Sequence, residues 1–252
     1  MRRLASITLL GALAGLLTAS ACWAEWHAHE VRLLNGAQPD VRIAAKLEIV
    51  TEPWNRVAAV PYIVYMPEKD RILMLGGCDY PHHPEVLYSD DHGVTWSEPL
   101  RVVDAAGKNV DGLGTSLTYL GEGKVLFLTG DRRWLSGDFG ETWAEWSVMD
   151  PASDGKPWYT WDPLWVDKDS TSGAITRLIE TGYTWFRAPE VEKNHQQAYI
   201  RFSEDLGKTW SPSIKVPQWK EASEVALIRA ANGELIAACR TDVPPSKASE
   251  WI

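Results

Sequence analysis

Cysteine is scarce in this chain, 3 in 252 residues, so a disulfide-rich miniprotein is excluded. Basic residues are also short: 25 Lys and Arg face 34 Asp and Glu, for a formal net charge of −9. Non-specific nucleic-acid binding needs a basic face, and this balance excludes it. Long apolar runs are nearly missing. The longest, Leu4–Leu17, falls short of the roughly 20 residues that span a bilayer. At 45% hydrophobic and 23% charged the chain is otherwise ordinary, which excludes disorder and fibrous repeats. What is abundant is tryptophan, 14 residues against 4 Phe.

Met1-Arg2-Arg3 followed by the apolar run reads as the charged and hydrophobic regions of a secretory signal peptide. Small residues then lead to a cleavage site near Ala21 or Ala24. Residues 1–24 are thus expected to be a signal peptide, 25–40 a lead-in, and 41–252 the folded region. The protein would be secreted or periplasmic. Thr18-Ala19-Ser20-Ala21-Cys22 faintly resembles a lipoprotein box, which leaves lipid anchoring at Cys22 as a second route. Cleavage would leave Cys78 and Cys239, whose separation the sequence does not settle.

One pattern occurs three times: Ser89-Asp90-Asp91-His92-Gly93-Val94-Thr95-Trp96, Ser136-Gly137-Asp138-Phe139-Gly140-Glu141-Thr142-Trp143 and Ser203-Glu204-Asp205-Leu206-Gly207-Lys208-Thr209-Trp210. All read S-x-D-x-G-x-T-W. The chemistry is that of a hairpin turn. Asp accepts from the turn's own N–H groups, Ser and Thr close the network, Gly takes a positive φ, and Trp anchors the turn to the core. The Asp91-to-Asp138 spacing of 47 residues fits one four-stranded propeller blade, and the 67 from Asp138 to Asp205 fits a blade with an insertion. Strands are predicted at 60–66, 71–75, 116–120 and 124–129, with turns between them. One Asp per box supplies too few oxygens for a calcium loop, so Asp91, Asp138 and Asp205 are read as structural and no metal is expected.

These repeats resemble the Asp-boxes (BNR repeats) of the sialidase, or neuraminidase, superfamily, and the resemblance runs from about Arg42 to the C-terminus. It implies an all-β fold, a six-bladed β-propeller of which this chain would carry about four blades. It further implies an exo-acting glycoside hydrolase that removes terminal sialic acid, retains configuration and needs no cofactor. Its partner would be a glycan, and the chain a monomer with no transmembrane span.

The stretch Ser223–Arg240 carries a second resemblance. From its residues alone it is a hairpin turning at 230–233, which brings Glu224 opposite Cys239 or Arg240. In the family such an Arg binds the substrate carboxylate and such a Glu assists a Tyr nucleophile. A phenol suits a substrate that bears its own carboxylate beside the reacting carbon. Arg suits bidentate clamping of that carboxylate. A plain cross-strand ion pair is the alternative. By the same resemblance Asp79, on the loop Gly76-Gly77-Cys78-Asp79-Tyr80-Pro81-His82-His83-Pro84-Glu85, takes the acid/base position. The family's Arg-Ile-Pro motif is represented here by Ala59-Val60-Pro61, with Arg56 nearby as a substrate-binding residue. The third Arg and the nucleophilic Tyr would lie beyond Ile252. Arg132, Arg133 and Arg187 are further contributors to a basic pocket.

The densest aromatic stretch is Trp134, Trp143, Trp146, Trp158, Trp161 and Trp165. Packing over the insertion and stacking on sugar faces both remain open for it. Two other functions suit the same fold: a non-catalytic carbohydrate-binding propeller, and a glycosidase acting on another glycan.

Overall fold

The computed structural model describes residues 30–35, 38–44, 59–77, 81–186 and 195–241, and every described element is a strand. The chain falls into two units, 1–50 and 51–252. In the first, β1 (Glu30–Asn35) and β2 (Gln38–Ala44) form an antiparallel hairpin with Leu33 opposite Val41.

The second unit repeats one four-stranded antiparallel meander. The first blade contains β3 (Ala59–Met66), β4 (Arg71–Gly77), β5 (Pro84–Ser89) and β6 (Leu100–Arg101). The second contains β7 (Gly114–Gly121), β8 (Lys124–Thr129), β9 (Arg132–Ser136) and β10 (Ala144–Val148). The third contains β11 (Trp165–Lys168), β12 (Ile175–Phe186), β13 (His195–Ser203) and β14 (Ile214–Lys220). A hairpin of β15 (Ala222–Arg229) and β16 (Leu235–Thr241) then opens the next repeat. This is the all-β propeller architecture expected from the box spacing. The predicted strands are present, each extended by no more than two residues at an end.

Blades stack face to face, so their middle strands are apolar on both sides instead of alternating. β4 and β8 are buried along almost their whole length. Leu73, Leu75, Leu117, Val125 and Phe127 fill the space between the first two blades, with Phe127 edge-on to Trp143 at 4.7 Å. Leu120, Leu126, Leu164 and Leu178 do the same between the second and third.

The three boxes adopt one geometry. In each, the Ser hydroxyl accepts from the Gly N–H at 2.8, 2.9 and 2.8 Å and donates to the Asp carboxylate. The same carboxylate accepts from the Thr N–H (2.8–2.9 Å) and the Thr hydroxyl (2.5–2.6 Å). Gly93, Gly140 and Gly207 have φ of 83 to 86°. The preceding residues, His92, Phe139 and Leu206, are also left-handed, at 59 to 65°, as two successive positive φ values in a tight hairpin turn require. That second left-handed residue has no signal in its side chain.

The boxes also join neighbouring blades. Trp146 and Ser147 of β10 donate to the carbonyls of Leu206 and Gly207 in the next box. Glu141 in the second box pairs with Lys69 and Arg71 of the first blade, while Arg71 grips Asp90 of its own box with two bonds. Replacing Asp138 with Ala removes the acceptor for three groups. The loss of stability is expected to be about 2 kcal/mol, readable as a lower urea midpoint at unchanged slope. The boxes predict an acid limb as well. Hydrogen bonds from Thr95 and Ser89 hold the Asp91 carboxyl down at about 2. For Asp205 burial works the other way, and bonds from Thr209 and Ser203 outweigh it, again to about 2. Groups depressed on folding contribute stability above their ordinary value of 3.8 and lose it as pH falls towards about 2. Melting temperature should therefore drop across that window, and less steeply in an Asp91→Asn/Asp205→Asn double variant.

Candidate functional site

The innermost strands β3, β7 and β15 each slip register near their leading ends, between Ala59 and Tyr62, Thr115 and Thr118, and Ala222 and Val225. Such bulges re-aim side chains. At the first two, non-glycine residues take left-handed backbone, Val60 at φ 54° and Ser116 at 60°. For β-branched Val this is a strained conformation, of the kind concentrated at functional sites.

The bulges converge on the segment entering β11. The Tyr62 hydroxyl donates to the Trp161 carbonyl at 2.5 Å, and the Ser116 hydroxyl donates to the Asp162 carbonyl at 2.7 Å. Leu164 N–H donates to Thr118 at 2.9 Å, and the Asp162 carboxylate accepts from Val225 N–H on β15. Four consecutive repeats thus meet at one place. The Trp161 indole donates to the Tyr183 hydroxyl at 3.0 Å on the same side.

Across the last hairpin Val225 pairs with Cys239, which sets Arg240 beside Glu224. Their side chains form an ion pair at 2.5 Å, with Arg240 60% exposed and Glu224 31%. The pair therefore stands at the open mouth of the cluster. Burial, followed by the Glu224 charge, raises the Asp162 carboxyl above its usual range, although the Val225 N–H opposes the shift. Tyr62 is pushed up to about 12 by burial and, secondarily, by the Asp162 and Glu224 charges against an opposing bond from Ser116. Burial first, and the Glu224 charge behind it, raises Tyr183 as well. Cys239, a free and exposed thiol, is raised by its partial burial and by Asp162. The cluster is acidic, and its phenols stay neutral at neutral pH.

Glu224 and Arg240, singled out in sequence, are brought together. Asp79 and Arg56 lie outside the described residues, as do Cys78 and Arg187. The strand ends flanking Asp79, Gly77 and Pro84, pair with each other, and Gly77 pairs with Ala59 at the leading end of β3. That is the end at which the cluster forms. His83 is buried between the Pro81 carbonyl and the Glu85 carboxylate, while His82 is exposed, so these neighbours point apart. Asp91, Asp138 and Asp205 sit in box turns; Ser89, which opens the first box, pairs with Ile72 at the far end of β4. Arg133 corrects an expectation. It is fully buried on Glu180, whereas Arg132 is half-exposed and paired with Glu145. Among the described residues no group of three His, Cys, Asp or Glu is placed to hold a metal ion. Nor is any described helix long and apolar enough to cross a membrane.

No family model matches the chain, and no curated protein does. Solved structures do. Trypanosoma rangeli sialidase in complex with sialic acid is similar at 16% identity and a TM-score of 0.48, over 84% of this chain and 37% of that one. An ancestral GH74 enzyme is similar at 13% identity and a TM-score of 0.39, over 71% of this chain and 27% of that one. The chain thus spans well under half the length of either structure.

Sequence reasoning missed Tyr62, Ser116, Asp162 and Tyr183. Their only signal is topological, since the contacts join residues 99 and 46 positions apart.

Proposed function

We propose that the acidic cluster at the leading ends of the inner strands is the glycan-binding end of an exo-acting glycoside hydrolase of the sialidase kind. The observation that carries this reading is the Glu224–Arg240 pair, held at the mouth of the cluster beside Asp162. Arg240 is 60% exposed, and its planar guanidinium has the fork geometry that would clamp a substrate carboxylate bidentately. Glu224 would assist a Tyr nucleophile, with Asp79 as acid/base and Arg56 as a second cationic contact. The chemistry calls on side chains alone and would retain configuration. Export by a signal peptide at residues 1–24 suits a substrate found on secreted and surface glycans. The S-x-D-x-G-x-T-W turns are read as Asp-boxes, and residues 41–252 as the propeller region.

Turnover of a fluorogenic sialoside by the full-length gene product tests the reading. Arg240→Ala is expected to lower kcat/KM at least tenfold, with most of the loss in KM, because the clamp acts on bound substrate. Absence of turnover in the unmodified protein would sink it. One observation favours a second reading, a non-catalytic glycan-binding propeller: Ala59-Val60-Pro61 stands where the family has Arg-Ile-Pro. Binding of sialylated glycans without turnover is the result that reading expects.

A further inference from the structure

Beside the cluster, three aromatic rings lie in a row on one sheet face. Tyr159 and Tyr183 form an isolated antiparallel bridge through reciprocal backbone bonds of 3.0 and 2.8 Å. A directly opposed pair projects its side chains to the same face, and these rings are stacked at 5.8 Å and 30°. Trp185 follows two positions along β12, so it returns to that face, and its ring meets Tyr183 edge-on at 5.8 Å. Tyr183 is buried between its neighbours, but Tyr159 is 42% exposed and Trp185 40%.

Tyr159 also borders two adjoining cavities, of about 430 and 230 Å³, which share Gly130, Trp158 and Tyr159. The larger is within the usual size range of small-molecule sites, and its mouth carries the Asp131 carboxylate. The smaller extends to Trp161, whose indole holds the Tyr183 hydroxyl and whose carbonyl holds Tyr62. Ring row, cavities and acidic cluster are therefore continuous. Of the tryptophans in the dense 134–165 stretch, most are spent on packing or internal bonds. Trp134 donates to Thr129, Trp146 to Leu206 and Trp165 to Asp167. The exposed rings at the site are two that no sequence pattern marked.

We propose that Tyr159, Tyr183 and Trp185 form a stacking platform for the second sugar of a glycan whose terminal sugar occupies the Glu224–Arg240 cluster. This rests on the glycan reading above and extends it to substrate length. A pyranose ring offers one face of C–H bonds, which suits the electron-rich face of an aromatic ring. Its rim of hydroxyls needs acceptors and donors, and Asp131 and the Tyr159 hydroxyl stand beside the rings.

Calorimetric binding of sialyllactose and of free sialic acid decides the matter, alongside an array of neutral and sialylated oligosaccharides. Tyr159→Ala and Trp185→Ala are each expected to weaken sialyllactose about fivefold. Free sialic acid should change less than twofold. Tyr159→Phe, which keeps the ring, should bind almost normally; the Ala variants lose a ring contact with Tyr183 and should melt a few degrees lower, so binding is compared at a temperature where all variants are folded. Unchanged sialyllactose affinity in both Ala variants overturns the platform, as does a wild-type protein that binds no oligosaccharide on the array. Ring-dependent binding of neutral oligosaccharides, with sialosides ignored, would keep the platform and overturn the sialidase reading instead.

Discussion

Replacing Glu180 with Ala is expected to destabilise the propeller by about 3–5 kcal/mol, the usual result of stripping the counter-ion from a buried charge. Glu180 on β12 is 1% exposed and serves two fully buried arginines, Arg133 from β9 of the preceding blade and Arg201 from β13. Both Glu180 oxygens accept from Arg133 Nη2 at 2.9 Å, and Oε2 lies 2.5 Å from Arg201 Nε. Burial favours the neutral acid, yet the two guanidiniums outweigh it and hold the Glu180 carboxyl below its usual range. One carboxylate cannot balance two cations. The excess charge meets aromatic faces: Arg201 lies 4.1 Å from the Trp158 ring centre, and Arg133 4.6 Å from that of Trp210. Among the described residues Arg133 Nε and Nη1 have no hydrogen-bond partner, so the cluster has no reserve when its anion is removed. Urea unfolding of Glu180→Ala and Glu180→Gln measures the effect, and both should lose most of it because Gln keeps the shape without the charge. A loss under 1 kcal/mol in both would mean the triad is not a structural link between blades. Arg133→Met/Glu180→Leu/Arg201→Met, with no charge left to bury, should recover much of the deficit.

What could be read in the sequence was what the chain settles locally. A box spans eight residues, and its Ser, Asp, Gly and Thr all have partners within the same eight, so S-x-D-x-G-x-T specifies its turn without help. The last hairpin was legible for the same reason, and only its register was open. Val225 opposite Cys239 resolves it, with a bulge just before. The Arg133–Glu180–Arg201 triad joins residues 47 and 21 positions apart on different strands, and nothing in those segments marks a charge for burial. The axial cluster was hidden twice over. Its contacts cross blades, and it depends on left-handed backbone at Val60 and Ser116, where no glycine announces it. For the tryptophan-rich stretch the sequence left packing and sugar stacking open, and the structure packs most of these indoles. Their density reflects interblade packing, and the exposed rings next to the cluster are Tyr159 and Trp185.

Gly182→Ala is expected to cost about 3 kcal/mol, at the upper end for overpacking, and to disturb the proposed glycan site besides. Gly182 lies within β12 opposite Tyr199, with no positive φ, so its backbone would accept Ala without strain. The difficulty is space. A Cβ there would fall 2.4 and 2.5 Å from the Trp158 ring edge and 2.7 Å from the Tyr159 carbonyl oxygen. Neither neighbour yields easily. Trp158 is packed with Leu128, Met149, Ala152 and Tyr199 and carries the Arg201 guanidinium on its ring. The Tyr159 carbonyl is held by Tyr183 N–H at 2.8 Å. The strain can be relieved only by moving the segment from Trp158 to Asp162, which holds both the platform ring of Tyr159 and the carboxyl that faces Glu224. Glycan affinity should therefore fall in Gly182→Ala even at temperatures where the protein remains folded. Gly137→Ala is the control, because nothing lies within 4 Å of its Cβ position and its φ is not positive; it should be neutral or slightly stabilising. If the two variants melt and bind alike, the close packing of Trp158 on β12 is not what positions the site. Trp158→Phe shortens the ring edge that meets the new methyl group, and combined with Gly182→Ala it should restore binding further than it restores stability, because the smaller ring leaves a void where the indole packed.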